Sequence, residues 1–238
     1  MYSALAVALF LQFLATEGRT ASALYILGDL FESWIGDDDD DPARRSVCEA
    51  LRALTQAGIA CRVLHGNRDF LLGRGFAART GCELLPDPSV LQLGARRIVI
   101  SHGDALCTRD VAYQRFRRVV RQRPVQRGWL ALPLGTRRAL AARIRQRSTQ
   151  HMRRKAGDIM DVTPDAVSAL LQSSGADWLV HGHTHRPGVH QLVVDGRNCL
   201  RIVLGDWYEQ GSLLILQENA APELRVLSAA ATGADGQV

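Results

Sequence analysis

The sequence predicts a layered α/β fold, because four short apolar runs each end in polar residues and helical spacing recurs between them. The runs are Ala23–Leu27, Cys61–Leu64, Arg97–Ser101 and Asp177–Val180. Short runs of this kind are typical of strands buried on both faces. The side chains at the carboxyl ends of such strands point into one shared crevice, so we expect the four polar tips to converge.

One helix is predicted before the first strand in the sequence and another after it. Residues 1–14 (MYSALAVALFLQFL) are apolar and predict a buried helix. They lack the basic start and the cleavage site of a signal peptide, and they fall short of the roughly 20 residues that span a bilayer. An export signal or a membrane anchor is the alternative. A second helix is predicted near Pro42, since Val47, Leu51 and Leu54 recur at helical spacing.

Three further strands are predicted close to the carboxyl terminus, with Gly196 at a turn: Leu192–Val194, Leu200–Leu204 and Ser212–Leu216. Residues 227–238 contain too few apolar side chains to pack, and we expect them to form a disordered tail. The chain is long enough for one domain with its own core, so we expect a single domain over residues 1–226.

The positive charge of the chain is concentrated in one segment. Fifteen of its 29 Arg and Lys residues lie between Arg109 and Lys155, where Asp110 is the single acid. Helical spacing in Val111–Val120, and again from Thr136 to about Met160, predicts a helical cap inserted at about residues 109–160. Such a block attracts phosphate, anionic lipid or nucleic acid, and a solvated pair of charged helices is the alternative.

The cysteines indicate a reducing compartment. There are five, an odd number, and none forms a C-x-x-C pair. A disulfide framework or a zinc ribbon is therefore not expected, and a cytoplasmic location fits best.

Five polar residues at the predicted strand ends make a candidate metal site. They provide one carboxylate, one amide oxygen and three imidazoles: Asp29, Asn67, His102, His183 and His185. Mixed nitrogen and oxygen donors without a thiolate suit Mn²⁺, Fe²⁺ or Zn²⁺. A purely structural role would leave several polar side chains buried without partners, which is costly. His183 and His185 are two positions apart, so an extended or turning backbone could aim each imidazole at a different ion.

The strings around these residues resemble a known superfamily. GDLFE, GNRDFLLG, SHGD and HGHTHRP resemble the calcineurin-like metallophosphoesterases, which form a layered sandwich. The longer strings YILGDLFESWIGDDD, HGNRDFLLG, HGDALCT and IMDVTPDAV resemble one branch, the UDP-2,3-diacylglucosamine diphosphatases of lipid A biosynthesis. The resemblance extends from about Ala8 to Leu216.

The resemblance implies hydrolysis of UDP-2,3-diacylglucosamine to UMP and 2,3-diacylglucosamine 1-phosphate, with two Mn²⁺ ions and a hydroxide that attacks the α-phosphorus. Asp29 would bridge the ions, while Asn67, His102 and His183 would complete the second site and His185 would belong to the first. Arg68 follows the motif asparagine, where many members have a general-acid histidine. Because an arginine stays protonated, we expect Arg68 to stabilise the phosphate charge that develops.

The resemblance also assigns the cap to substrate binding. Its contacts, together with Asn67, Arg68 and His183, would come from Asp110, Tyr113, Arg145, Ser148, Met152 and Lys155. Trp129, Leu130, Leu132 and Leu134 lie among arginines, which suits a lipid substrate. Such a surface also suits anionic membrane at the cytoplasmic face of the inner membrane.

The sequence departs from the family at its start. Family members begin with a strand that ends in Asp-x-His, and this motif does not occur before Asp29. We therefore expect the sheet to lack its first strand and the first metal site to keep only Asp29 and His185. A start codon placed too far downstream and a shortened product are both open explanations.

Two other functions remain open from the sequence: a non-catalytic binder of the nucleotide lipid with one metal ion, and a phosphodiesterase that acts on nucleic acid. The cap has few aromatic side chains for base stacking, namely Tyr113, Phe116 and Trp129, so we expect no nucleic-acid partner. The sequence indicates no oligomeric state.

Overall fold

The computed structural model describes residues 4–152 and 161–228, and it describes no side chains at residues 147–152. The helices are α1 (Ala4–Ala15), α2 (Pro42–Gln56), α3 (Arg74–Thr80), α4 (Val111–Val120), α5 (Arg123–Leu130), α6 (Leu134–Met152) and α7 (Pro164–Ser174). The strands are β1 (Ala23–Ile26), β2 (Ala60–Leu64), β3 (Glu83–Leu85), β4 (Ser89–Leu93), β5 (Arg96–Ser101), β6 (Trp178–His181), β7 (Gly188–Val194), β8 (Arg197–Val203), β9 (Gln210–Ile215) and β10 (Glu223–Ser228).

The strands form three groups. β1, β2 and β3 make a parallel sheet in that order. The larger sheet has the order β4-β5-β6-β8-β7, in which β5, β6 and β8 are parallel and the two edge strands are antiparallel to their neighbours. β9 and β10 form an antiparallel pair. The parallel strands β1, β2, β5 and β6 are those whose polar ends the sequence singled out.

Three hydrophobic clusters show that the fold is layered. One cluster joins α1, α2 and α3 to the small sheet, around residues such as Leu51 and Phe76. A second joins α7 to the larger sheet, around Leu171 and Leu179. The third lies between the two sheets. This arrangement of helix, sheet, sheet and helix confirms the predicted α/β sandwich.

The predicted helices and strands are present as far as the structure describes them, with three further strands and three further helices, α3, α5 and α7. The predicted end of the last cap helix near Met160 lies outside the described residues. α1 packs on α2 and places Phe10 against Trp207, with ring centroids 5.2 Å apart, so its burial on one face is confirmed. The three strands that the sequence did not predict are β3, β4 and β10. β10 ends at Ser228 and so includes the first two residues of the predicted tail, whose remainder lies outside the described residues.

The predicted cap consists of α4, α5 and α6, and ion pairs attach it to the core. Arg137 of α6 is 2% exposed and donates hydrogen bonds to the Ile35 carbonyl (2.8 Å) and to Asp38. Its neighbour Arg138 binds Asp39 at 2.6 Å. The acidic run after β1 thus neutralises part of the basic block.

A cavity of about 960 Å³ opens between the two sheets. β1 and β9 both border it, and in the described part of the chain β1 pairs only with β2 and β9 only with β10. Its interior is largely apolar, with side chains such as Ile98 and Leu214, and Asp29 and His183 line its polar end. The cavity therefore reaches the predicted metal site.

Candidate metal centre

The carboxyl ends of four parallel strands deliver the predicted ligands to one place. Asp29 follows β1, Asn67 follows β2, His102 follows β5 and His183 follows β6. Asp29 and His183 have left-handed backbone conformations, with φ of 52° and 67°. Non-glycine residues rarely adopt such angles, and the strained positions that do occur cluster at functional sites.

Asp29, Asn67, His102 and His183 form a compact group, which we call the inner cluster. Ligand atoms of Asp29, His102 and His183 all lie within 4.8 Å of one another. The Asn67 Oδ1 atom is 3.1 Å from His102 Nε2 and 3.1 Å from His183 Nδ1. A single cation can therefore contact all four side chains after small adjustments, and the predicted convergence is confirmed.

His102 is oriented for ligation. It is 1% exposed, and its Nδ1 lies 2.8 Å from the Leu27 carbonyl oxygen, to which it donates a hydrogen bond. That bond leaves the Nε2 lone pair facing Asn67 and Asp29, as is usual for metal-binding histidines. Burial opposes protonation of His102, but the carboxylates of Asp29 and Asp104 outweigh it and raise its pKa. A proton and a cation therefore compete for this nitrogen.

His183 is held in its neutral form. Burial, assisted by the nearby His102, lowers the pKa of His183 to about 4. A neutral imidazole is the form that binds metal. The inner cluster thus presents a neutral imidazole at neutral pH.

Arg68 and Asp69, which follow Asn67, support the inner cluster. The Arg68 backbone N–H donates to Asp29 Oδ1 at 2.9 Å, and the Arg68 Nε atom is 3.5 Å from Asp29 Oδ2. Asp69 is fully buried and accepts hydrogen bonds from the backbone N–H groups of Gly66 (2.8 Å) and Asp29 (3.3 Å). Burial, together with the charge of Asp29, raises the pKa of Asp69 to about 6. Asp69 therefore ties the loops after β1 and β2 together.

His185 does not belong to the group of ligand atoms within 4.8 Å of one another. Its Nδ1 is 3.1 Å from Asp206 Oδ2, and we call these two residues the outer pair. His185 also has a positive φ, of 54°, and it lines the same cavity. Its assignment to a separate ion stays a prediction.

Some of the cap residues that are predicted to bind substrate lie next to the metal centre. The Tyr113 hydroxyl donates to Asp104 at 2.6 Å, and its ring stacks on His183 with centroids 6.3 Å apart. Asp110 caps α4 by accepting the Tyr113 backbone N–H at 3.1 Å. Arg145 of α6 binds Glu32 in the loop after β1. The side chains of Ser148, Met152 and Lys155 lie outside the described residues.

Sequence reasoning missed Asp206 of the outer pair. It also missed three carboxylates that support the inner cluster: Glu32, Asp69 and Asp104. Asp104 is fully buried and accepts hydrogen bonds from Tyr113 and Arg117, which anchors α4 beside the inner cluster. All three lie within the strings that carried the resemblance, GDLFE, GNRDFLLG and SHGD. Their position in these family-specific strings is the feature of the sequence from which they could have been identified.

The donor set fits a divalent cation. A carboxylate, an amide oxygen and two imidazoles surround one point, and the imidazole of His102 is fixed by its second nitrogen. No thiolate takes part, since all five cysteines lie buried in the core. Such donors suit Mn²⁺, Fe²⁺ or Zn²⁺ and do not distinguish among them.

Comparison with known proteins identifies the family. Residues 6–187 match the family model described as calcineurin-like phosphoesterase. A UDP-2,3-diacylglucosamine hydrolase of Pseudomonas syringae pv. tomato is 51% identical over 209 residues, which cover 88% of this chain and 84% of that protein. The enzyme of the same name from Escherichia coli O7:K1 is 49% identical, with coverage of 86% and 85%.

Among solved structures, one described as a novel archaeal phosphodiesterase has a TM-score of 0.48 and 12% identity, covering 93% of this chain and 92% of its own. The family model and the relatives together show that this chain belongs to the UDP-2,3-diacylglucosamine hydrolases of the calcineurin-like phosphoesterase family.

Proposed function

We propose that this chain hydrolyses the pyrophosphate bond of UDP-2,3-diacylglucosamine, a step of lipid A biosynthesis. Water attacks the α-phosphorus, the bond from that phosphorus to the bridging oxygen breaks, and the products are UMP and 2,3-diacylglucosamine 1-phosphate. The observation that carries the proposal is the inner cluster, in which Asn67 contacts both His102 and His183. The names of the relatives support the choice of substrate.

The inner cluster would hold Mn²⁺, and the outer pair together with Asp29 would hold a second ion. A bound divalent ion polarises the phosphate and lowers the pKa of water. The chain itself contributes Arg68, whose guanidinium lies beside Asp29 and stays protonated throughout. Arg68 can therefore stabilise the negative charge that grows on the phosphate oxygens.

Release of UMP tests this activity. Purified protein, supplied with Mn²⁺ and UDP-2,3-diacylglucosamine in detergent micelles, should release UMP, and chelation with EDTA should stop the release. His190→Ala is a matched control for ligand variants, because His190 lies exposed on β7. A protein that binds Mn²⁺ and the nucleotide lipid without turnover would contradict the proposal and favour a non-catalytic binder.

We also propose that the cap contacts anionic lipid at the cytoplasmic face of the inner membrane. None of the helices in the described part of the chain is long and apolar enough to cross a bilayer. α4 exposes Val111, Phe116 and Val119 next to the exposed Arg115 and Arg118. Apolar side chains interleaved with arginines suit an anionic membrane surface.

Sedimentation with vesicles tests the membrane contact. Phosphatidylglycerol vesicles should retain the wild-type protein more strongly than phosphatidylcholine vesicles, and Phe116→Ser should weaken that retention. Val193→Ser is the control, since Val193 is 69% exposed on β7 outside the cap. Equal retention on both kinds of vesicle would contradict the proposal.

A further inference from the structure

Glu32 joins the core of the molecule to its cap. It lies in the loop after β1, three residues beyond Asp29, and lines the polar end of the cavity. One carboxylate oxygen, Oε1, accepts hydrogen bonds from Arg68 of the core and from Arg145 of α6. The Glu32 side chain is only 13% exposed. A single, largely buried oxygen therefore holds two guanidinium groups.

The charges of this group explain why the carboxylate is needed. Two guanidinium groups that contact the same oxygen lie close enough to repel each other, and the repulsion grows where water is scarce. Glu32 supplies the compensating negative charge. The other side of Arg68 faces Asp29, 3.5 Å from its Nε, so this guanidinium is held between a metal-binding carboxylate and Glu32.

The contact with Arg145 lies at a separate point on the cap helix. Among the side chains that the structure describes, the other ion pairs of α6 with the core come from Arg137 and Arg138 near its start. Arg145 lies about two turns further along, roughly 12 Å at 1.5 Å per residue. The ion pair with Glu32 therefore fixes a part of α6 that the first two pairs do not reach.

We propose that Glu32 is a positioning residue for phosphate recognition, which latches α6 to the core and places Arg145 beside Arg68 at the inner cluster. The two guanidinium groups then bind oxygens of the substrate pyrophosphate, a geometry that arginine forks favour. Glu32 itself does not bind the phosphate, because both are negative. The identity of the anion rests on the proposed function, whereas the latch does not.

Binding of a non-hydrolysable analogue tests the role in recognition. The probe is UDP-2,3-diacylglucosamine with a methylene group in place of the bridging pyrophosphate oxygen, titrated into Mn²⁺-loaded protein by calorimetry. Glu32→Ala should raise the Kd about tenfold, the size expected for a lost charge-assisted hydrogen bond. Asp40→Ala removes the same charge from the same loop, where Asp40 pairs with Arg45 in an exposed position, and should change the Kd less than about twofold.

A double-mutant cycle tests whether Glu32 acts through Arg145. In an Arg145→Ala background, Glu32→Ala should change the Kd less than about twofold, because the group it positions is gone. An undiminished tenfold effect in that background would overturn the proposal, as would an unchanged Kd in the single variant.

Hydrogen exchange tests the latch without any ligand. Amide exchange in residues 138–146 of α6 should be faster in Glu32→Ala than in the wild type and unchanged in Asp40→Ala. Unchanged exchange in Glu32→Ala would overturn the latch, whatever the binding data show. A wild-type protein that does not bind the analogue would contradict the proposed function and the phosphate role of the arginines, and the exchange data would still decide the latch.

Discussion

The inner cluster and the outer pair differ in how firmly the fold holds them. In the inner cluster, the His102 side chain is 2% exposed and hydrogen-bonded to the backbone of a neighbouring strand end. In the outer pair, His185 is 36% and Asp206 34% exposed, and both lie on loops between strands. Ligands at the ends of adjacent parallel strands are therefore pre-organised, while the outer pair has more freedom to move.

Removal of one histidine from each group should give the largest difference between them. His102→Ala should lower the rate of UMP release about a thousandfold, since it removes an ion worth several kcal/mol of transition-state stabilisation. His185→Ala should lower it about tenfold to a hundredfold, because Asp206 remains to hold an ion. Steady-state kinetics measures the rate of UMP release in both variants, with His190→Ala as the control. An equal loss of rate in both variants would contradict the difference between the inner cluster and the outer pair.

Two glycines test how tightly the inner cluster is built. An added Cβ at Gly66 would lie 2.1 Å from Asp29 Oδ1, whereas at Gly182 the nearest atom would be 3.7 Å away. Neither glycine has a positive φ, so the comparison measures the steric contact of the added Cβ without a contribution from backbone strain. Gly66→Ala should lower the free energy of unfolding by about 3 kcal/mol and Gly182→Ala by less than about 1 kcal/mol. Urea unfolding measures both, and a tolerated Gly66→Ala would contradict the tight packing.

A further prediction concerns pH, at a buried histidine beside the cluster. Burial lowers the pKa of His181 from 6.5 to about 4, and this residue is not exposed at all. The unfolded chain therefore binds more protons between pH 6.5 and pH 4, so His181 should reduce stability as the pH falls through that range, by roughly 3 kcal/mol at most. Between pH 7 and pH 4, the free energy of unfolding measured with urea should fall less in His181→Gln than in the wild type. An equal fall in both proteins would contradict this.

The sequence was sufficient to predict the inner cluster because its ligands follow regular elements. Asp29, Asn67, His102 and His183 each lie within three residues of the end of an apolar run, and parallel strands bring their carboxyl ends to one edge. Helical spacing predicted the cap helices α4 and α6, whereas α5 was not predicted. The missed strands have weaker patterns: β3 is only three residues long, and β4 and β10 contain only half-buried and exposed residues.

The supporting carboxylates could not be predicted in the same way. Glu32 acts through Arg145, which lies 113 residues further along the chain, and Asp104 acts through Arg117, 13 residues further along. Their roles therefore depend on how α6 and α4 lie on the core. Arg137 shows the same limit: it belongs to a basic block that suggests a solvated surface, yet it is 2% exposed between Ile35 and Asp38. Local patterns do not specify such contacts between distant segments.

Binding of Mn²⁺ to the purified chain tests the central claim most directly. Free Mn²⁺ gives an electron paramagnetic resonance signal that disappears on binding, so a titration counts the ions held and measures their affinity. We predict saturable binding of at least one ion per chain, with a Kd that rises at least about tenfold in Asn67→Ala and stays unchanged in His190→Ala. An absence of saturable binding, or equal affinity in the wild type and Asn67→Ala, would contradict a metal centre at the inner cluster.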